Sequence, residues 1–153
     1  MDLSDLIAPD RVLGGCKAAS KKQALLELST VAAGHTGLSE RVIFEALMER
    51  ERLGTTGVGQ GIAIPHAKLA QLTSLCGFFS RMASPIDFEA IDDQPVDLIF
   101  LLLAPETAGA EHLKALAQIS RLLRKRSVCD KLRAATDAAA LFALLTQPAS
   151  HAA

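Results

Sequence analysis

Tryptophan and tyrosine are absent from the sequence and phenylalanine occurs only six times, which disfavours an aromatic platform for single-stranded nucleic acid. Charge of one sign is missing too. Sixteen basic residues against seventeen acidic ones leave a formal net charge of −1, so no overall field favours nucleic acid or an anionic membrane. The three cysteines, Cys16, Cys76 and Cys129, form no C-x-x-C pair. That odd, scattered set argues against a disulfide framework and a structural zinc site, and fits a reducing compartment. No H-E-x-x-H occurs, and His35 and His151 have no ligating cluster around them, so neither a metal nor another cofactor is expected. The longest apolar run, Leu98 to Ala104, is far too short to cross a bilayer. Residues Met1 to Leu6 carry two acids and no basic region, so no secretory signal is read there. The expected location is the cytoplasm, with no membrane insertion and no nucleic-acid partner.

What is present reads as one α/β domain over residues 1–153, long enough to bury a real core. A short helical turn near Leu3 to Ile7 precedes a strand from Arg11 to Leu13. Ser20-Lys21-Lys22-Gln23 has the form of a capping box, followed by Ala24, Leu25, Leu28, Val31 and Ala32 on one helical face up to Gly34. Ser39 can cap a second helix, with Arg50 and Glu51 on its last turn. Ile62 to Pro65 reads as a short strand and Ser74 to Met82 as a longer one. Asp92-Asp93-Gln94-Pro95 is a turn, and the apolar run Val96 to Leu103 suits a central strand buried on both faces. A long helix is read from Ala110 to Lys125. Shorter ones follow near Val128 to Ala135 and Ala138 to Leu145, with Ser127 and either Thr136 or Asp137 as caps. Residues 147–153 look like a loose tail. The fold class is a mixed sheet of about five strands flanked by helices on both faces.

The chemistry concentrates in the stretch Arg50-Glu51-Arg52-Leu53-Gly54-Thr55-Thr56-Gly57-Val58-Gly59-Gln60-Gly61-Ile62-Ala63-Ile64-Pro65-His66. Glycines let backbone N–H groups approach an oxyanion closely, so Thr56, Gly57, Gly59 and Gly61 are candidate phosphate contacts. Pro65 fixes its own φ and pushes Ile64 into an extended conformation, which holds His66 on a stiff strand end. The nucleotide motifs fail. Gln60-Gly61 stands where a P-loop needs Lys followed by Ser or Thr, and Ile62 stands where the dinucleotide fingerprint needs its third glycine. An imidazole with a pKa of about 6.5 is mostly neutral and nucleophilic at neutral pH, and phosphoryl transfer asks mainly for positioning and charge neutralisation. The residues alone leave two readings of His66 open, a phosphoryl acceptor or a polar residue closing a strand. His112, in the expected first turn of a helix, can face the phosphoryl group or be a surface histidine. Arg50 can clamp a phosphate with its guanidinium fork or complement a helix dipole. The Arg121, Arg124, Lys125, Arg126 cluster reads as a solvated helix end.

The run Arg50-Glu51 to Thr56-Gly57-Val58-Gly59-Gln60-Gly61-Ile62-Ala63-Ile64-Pro65-His66 closely resembles the active-site signature of the fructose/mannitol-type enzyme IIA family of the bacterial phosphoenolpyruvate-dependent phosphotransferase system. Glu111-His112-Leu113 resembles that family's second histidine site, and Leu122 to Arg133 looks most like the nitrogen-regulatory branch. The resemblance implies a IIA component whose His66 takes a phosphoryl group on Nε2 from an HPr-like phosphocarrier, with Arg50 and His112 facing the phosphate. It implies a regulator of partner proteins, such as potassium transporters or sensor kinases, and not an autonomous enzyme. Two other readings stay open: a free-standing fructose or mannitol IIA that feeds a sugar-specific IIB, and a non-catalytic module binding a phosphorylated ligand. Ala67 departs from the pattern, since many relatives carry glycine there, and it restricts the backbone that poses His66.

Overall fold

The computed structural model describes residues 2–147; residues 148–153, most of the expected tail, lie outside that range. Short 3-10 turns at Leu3–Asp5 and Pro9–Arg11 lead into β1 (Val12–Cys16), α1 (Lys21–Thr36) and α2 (Glu40–Arg52). The glycine-rich stretch forms β2 (Gly57–Gly59), β3 (Ile62–Ala63) and the start of β4 (His66–Leu69). Then come β5 (Cys76–Ile86), β6 (Val96–Pro105), α3 (Ala110–Leu123), α4 (Arg126–Ala134) and α5 (Ala138–Leu145).

Six strands form one mixed sheet in the order β1-β5-β6-β3-β2, with β4 also paired to β6. β6 runs antiparallel to β5 and parallel to both β3 and β4. About five strands were expected from the sequence, and the difference has a local cause. Ile62 pairs with Leu98 and His66 with Leu102, so β3 and β4 keep one register against β6 and are parted only at Ile64-Pro65. Pro65 has no N–H to give to a ladder, and the Ile64 N–H turns away to the Thr56 carbonyl at 3.0 Å. The strand expected at Ile62 to Pro65 is therefore two residues long, and two strands are added to those expected from the sequence, β4 from His66 onward and β2 within the glycine-rich stretch.

The apolar run of β6 divides its side chains between two cores. Ile99, Leu101 and Leu103 pack with Leu25 and Leu28 of α1 and Ile43 and Leu47 of α2. Leu98, Phe100 and Leu102 pack with Ala115 and Ile119 of α3, Leu132 of α4 and Leu141 of α5. Helices thus cover both faces, as a continuous apolar strand demands.

The helix ends differ from expectation in small, explicable ways. Ser20 does cap α1, its Oγ accepting the Gln23 N–H at 3.2 Å, but the Gln23 side chain takes the Ala19 N–H at 2.8 Å. α1 runs through Gly34 and stops at Gly37, whose φ of 75° gives the left-handed C-cap. α3 ends at Leu123, and α4 begins at Arg126 with Lys125 as its N-cap instead of Ser127. Asp137 caps α5 by accepting the Ala140 N–H at 2.8 Å.

Candidate functional site

His66 opens β4, beside the interruption in the strand. Along this edge Ile62 and Ile64 face the α3 side while Ala63, Ala67 and Leu69 face the α1/α2 side, so alternation directs His66 toward α3. No strand other than β6 pairs with β4 among the described residues. α2 packs beside that open edge instead, and this lets Arg50, on its last turn, reach the imidazole.

The geometry specifies one tautomer. His66 Nδ1 lies 2.9 Å from the Ile64 carbonyl oxygen, which can only accept, so Nδ1 carries the hydrogen. Nε2 is left with its lone pair, toward which Arg50 Nε donates at 3.3 Å. Arg50 is itself held by Nη1 donating to the Gly54 carbonyl at 2.9 Å. Burial lowers the His66 pKa from its ordinary value and the Arg50 charge lowers it further, opposed by the Ile64 carbonyl and the Glu51 carboxylate. The ring is therefore neutral near pH 7, with a nucleophilic nitrogen next to a guanidinium.

His112 sits in the first turn of α3, only 6 % exposed. Its ring centroid is 5.6 Å from that of His66, the planes inclined at 54°. Burial, then the neighbouring His66 and Lys68, lower its pKa, and its Nδ1 is buried without a hydrogen-bond partner. Arg50, His66 and His112 line one open depression of about 460 Å³ together with Ala46, Glu49, Leu53, Ala67 and Lys68. Ala67 is extended and paired with Leu103, so its Cβ fits the strand.

The other loop residues are not brought to this depression. Thr56 is buried, donating its N–H at 3.0 Å and its hydroxyl to the Glu51 carboxylate. Gly57 has no room for a side chain, since a Cβ there would lie 2.9 Å from Ala90. Gly59 and Gly61 turn the β2–β3 hairpin with φ of 104° and 81°. A Cβ on Gly61 would come within 2.5 Å of Arg133 Nη2 and 2.9 Å of Asp97 Oδ1. That hairpin is fastened from behind by Arg133, which donates to Asp97 and to the Gln60 carbonyl, and by Asp92, which accepts the Gln60 N–H. Glu51 had no task in the sequence reading, although a signal was available: an acid at a helix C-terminus opposes the dipole and needs partners of its own. Among the described residues no group of three or more His, Cys, Asp or Glu side chains could hold a metal ion, and no helix is long and apolar enough to span a membrane.

An open α/β sheet that poses a neutral histidine beside an arginine and a second histidine defines a class, and comparison with known proteins agrees with it. The chain belongs to the family described as the phosphoenolpyruvate-dependent sugar phosphotransferase system, EIIA 2, whose model matches residues 5–147. Within it, the chain is similar to a nitrogen regulatory protein of Bradyrhizobium diazoefficiens, 56% identical over 153 residues and the full length of both chains. The nitrogen regulatory protein of Klebsiella oxytoca is 40% identical over 152 residues, covering 99% of this chain and 94% of the relative. Among solved structures, the nitrogen regulatory protein IIA-Ntr from Neisseria meningitidis superposes with a TM-score of 0.90 at 35% identity, covering 94% of this chain and 99% of that one.

Proposed function

We propose that the protein is a cytoplasmic phosphoryl carrier with His66 Nε2 as its covalent site, and that its phosphorylation state governs binding to regulated partner proteins. The observation that carries this reading is the Nδ1–H to Ile64 carbonyl bond, which leaves the Nε2 lone pair clear of the backbone and next to Arg50. In the transfer step Nε2 attacks the phosphorus of a phosphohistidine on an HPr-like carrier. A new N–P bond forms, the donor's N–P bond breaks, and the donor imidazole leaves with the electron pair. Arg50 turns from Nε2 to the phosphoryl oxygens, and its fork offsets their charge. His112, whose ring centroid lies 5.6 Å from that of His66, supplies a further donor to the same group. The depression is open, which suits a histidine presented by another protein better than an enclosed small ligand.

The regulatory branch is favoured over sugar transport by the identity of the relatives. Potassium transporters and sensor kinases are the partner classes implied by that branch. Incubation with enzyme I, the phosphocarrier and phosphoenolpyruvate is expected to give an acid-labile, base-stable phosphoprotein. His66→Ala is expected to carry no label, and a label persisting there overturns the assignment. Arg50→Ala and His112→Ala should fold cooperatively yet accept the group roughly ten- to a thousandfold more slowly, as when one charge-stabilising donor is lost; unchanged rates would remove them from the site. Rapid handover to a sugar-specific IIB would instead place the protein in the transport branch.

A further inference from the structure

The Glu51 carboxylate lies buried on the last turn of α2, 8 % exposed, where the negative end of the helix dipole disfavours an anion. Three donors compensate it. The Thr56 N–H reaches Oε1 at 3.0 Å, the Thr56 hydroxyl donates to Oε2, and Lys21 Nζ, from the first turn of α1, lies 2.9 Å from Oε1. Lys21 is in turn seated over the Phe88 ring, 4.9 Å from its centroid, and is 3.6 Å from the Glu89 carboxylate. Removing one partner from such a buried cluster leaves the others unsatisfied, so the segment it grips has little freedom.

One hydrogen-bonded path leads from this cluster to the reacting groups, and a second starts at the main-chain carbonyl of the same Glu51. Along one, the Thr56 carbonyl accepts the Ile64 N–H at 3.0 Å, and the Ile64 carbonyl accepts His66 Nδ1–H at 2.9 Å. Along the other, the Glu51 carbonyl accepts the Gly54 N–H at 3.1 Å, and the Gly54 carbonyl accepts Arg50 Nη1–H at 2.9 Å. A single short segment, 54–56, thus sets the pose of both the imidazole and the guanidinium. None of Lys21, Glu51 and Thr56 lines the depression over His66.

We propose that Glu51, clamped by Lys21 and Thr56, is a positioning residue for phosphoryl transfer, fixing the peptide segment whose carbonyl groups orient Arg50 and, through Ile64, His66; this rests on the carrier reading above. The test uses the full chain with Thr56→Val, Thr56→Ser and Lys21→Met. Two quantities are read: the rate of label uptake from the phosphorylated donor, and the ¹H–¹⁵N spectrum of the histidine rings, which reports the tautomer. Thr56→Val and Lys21→Met are expected to slow uptake about tenfold, because a small misplacement of an attacking group is costly, and to turn His66 from one tautomer into a mixture. Thr56→Ser keeps the hydroxyl donor and is expected to restore both. A native rate with an unmoved His66 spectrum in Thr56→Val overturns the proposal, as does a Thr56→Ser variant as slow as Thr56→Val. Should Thr56→Val fail to fold, Lys21→Met decides on the same two readouts. Failure of the native chain to take up label refutes the carrier reading, while the ring spectra of the variants still decide the positioning role.

Discussion

His66 and His112 both titrate below the ordinary imidazole range because burial penalises the charged ring, with positive neighbours adding to the effect. For His66 this sets a direction for the pH profile. Acceptance of the phosphoryl group is expected to stay level as the pH falls from about 7 through the usual histidine value of about 6.5, and to decline only below it. The same displacement acts on stability. Between the lowered folded value and the ordinary unfolded one, the unfolded chain binds more protons, so the folded state loses stability as pH falls through that window and keeps it above. Urea midpoints followed from about pH 7 to about pH 5 should therefore drop more steeply for the native protein than for His66→Gln, which cannot titrate at that position. Equal slopes would show that the folded ring is not held neutral. Replacing Arg50 by Met removes one of the causes that lower the His66 pKa, and a histidine titration followed by NMR should show that value rising.

Among the elements, those with a strong period were legible in the sequence. α1 and α2 declare themselves by capping serines and an apolar face, α3 by its apolar face alone, and β6 by seven apolar residues in succession from Leu98 to Ala104. β4 did not, because His66-Ala67-Lys68-Leu69 is four residues long, begins at a titratable group and follows a proline. The histidine, arginine and second histidine were visible as residues, but the neighbourhood of α2 and β4 was not, since it depends on an edge that only the finished sheet leaves open. The glycines show the limit most clearly. Their number suggested a cradle for an anion, whereas the backbone uses them to close the β2–β3 hairpin tightly against Ala90, Asp92 and Arg133. Gly61→Ala therefore tests the hairpin as an element. Its φ of 81° and the 2.5 Å approach to Arg133 Nη2 predict a loss of about 2 kcal/mol from backbone strain and displacement of the Arg133–Asp97 pair. A urea midpoint unchanged in this variant would mean that the hairpin is not fastened in this way.

On the scale of the whole molecule, β6 is the partition between two cores and belongs to both. Phe100 is fully buried on the α3 side, 6.3 Å from Phe79 centroid to centroid. Gly77 makes room for its ring, as a Cβ there would lie 2.8 Å from it. Phe100→Ala is expected to cost about 3–5 kcal/mol, a large share of the roughly 5–15 kcal/mol that holds a domain of this kind together. Chemical denaturation followed by circular dichroism would show it, and a loss below about 1 kcal/mol would mean that the core closes over the gap.

The shared register of β3 and β4 makes the length of the chain between them matter more than its composition. Side chains on a strand alternate between faces, so one residue inserted or deleted between Ala63 and His66 would exchange inside and outside for everything that follows. Ala67 and Leu69 would leave their core, and the imidazole would point toward α2 and away from His112. Two residues, the shortest even step, let the strand lose the one rung that Pro65 cannot donate, keep the Leu102 N–H to Pro65 carbonyl bond at 3.0 Å, and land in phase. The peptide they contribute has a carbonyl that β6 does not claim, and His66 needs that carbonyl to hold its proton on the far side of the ring.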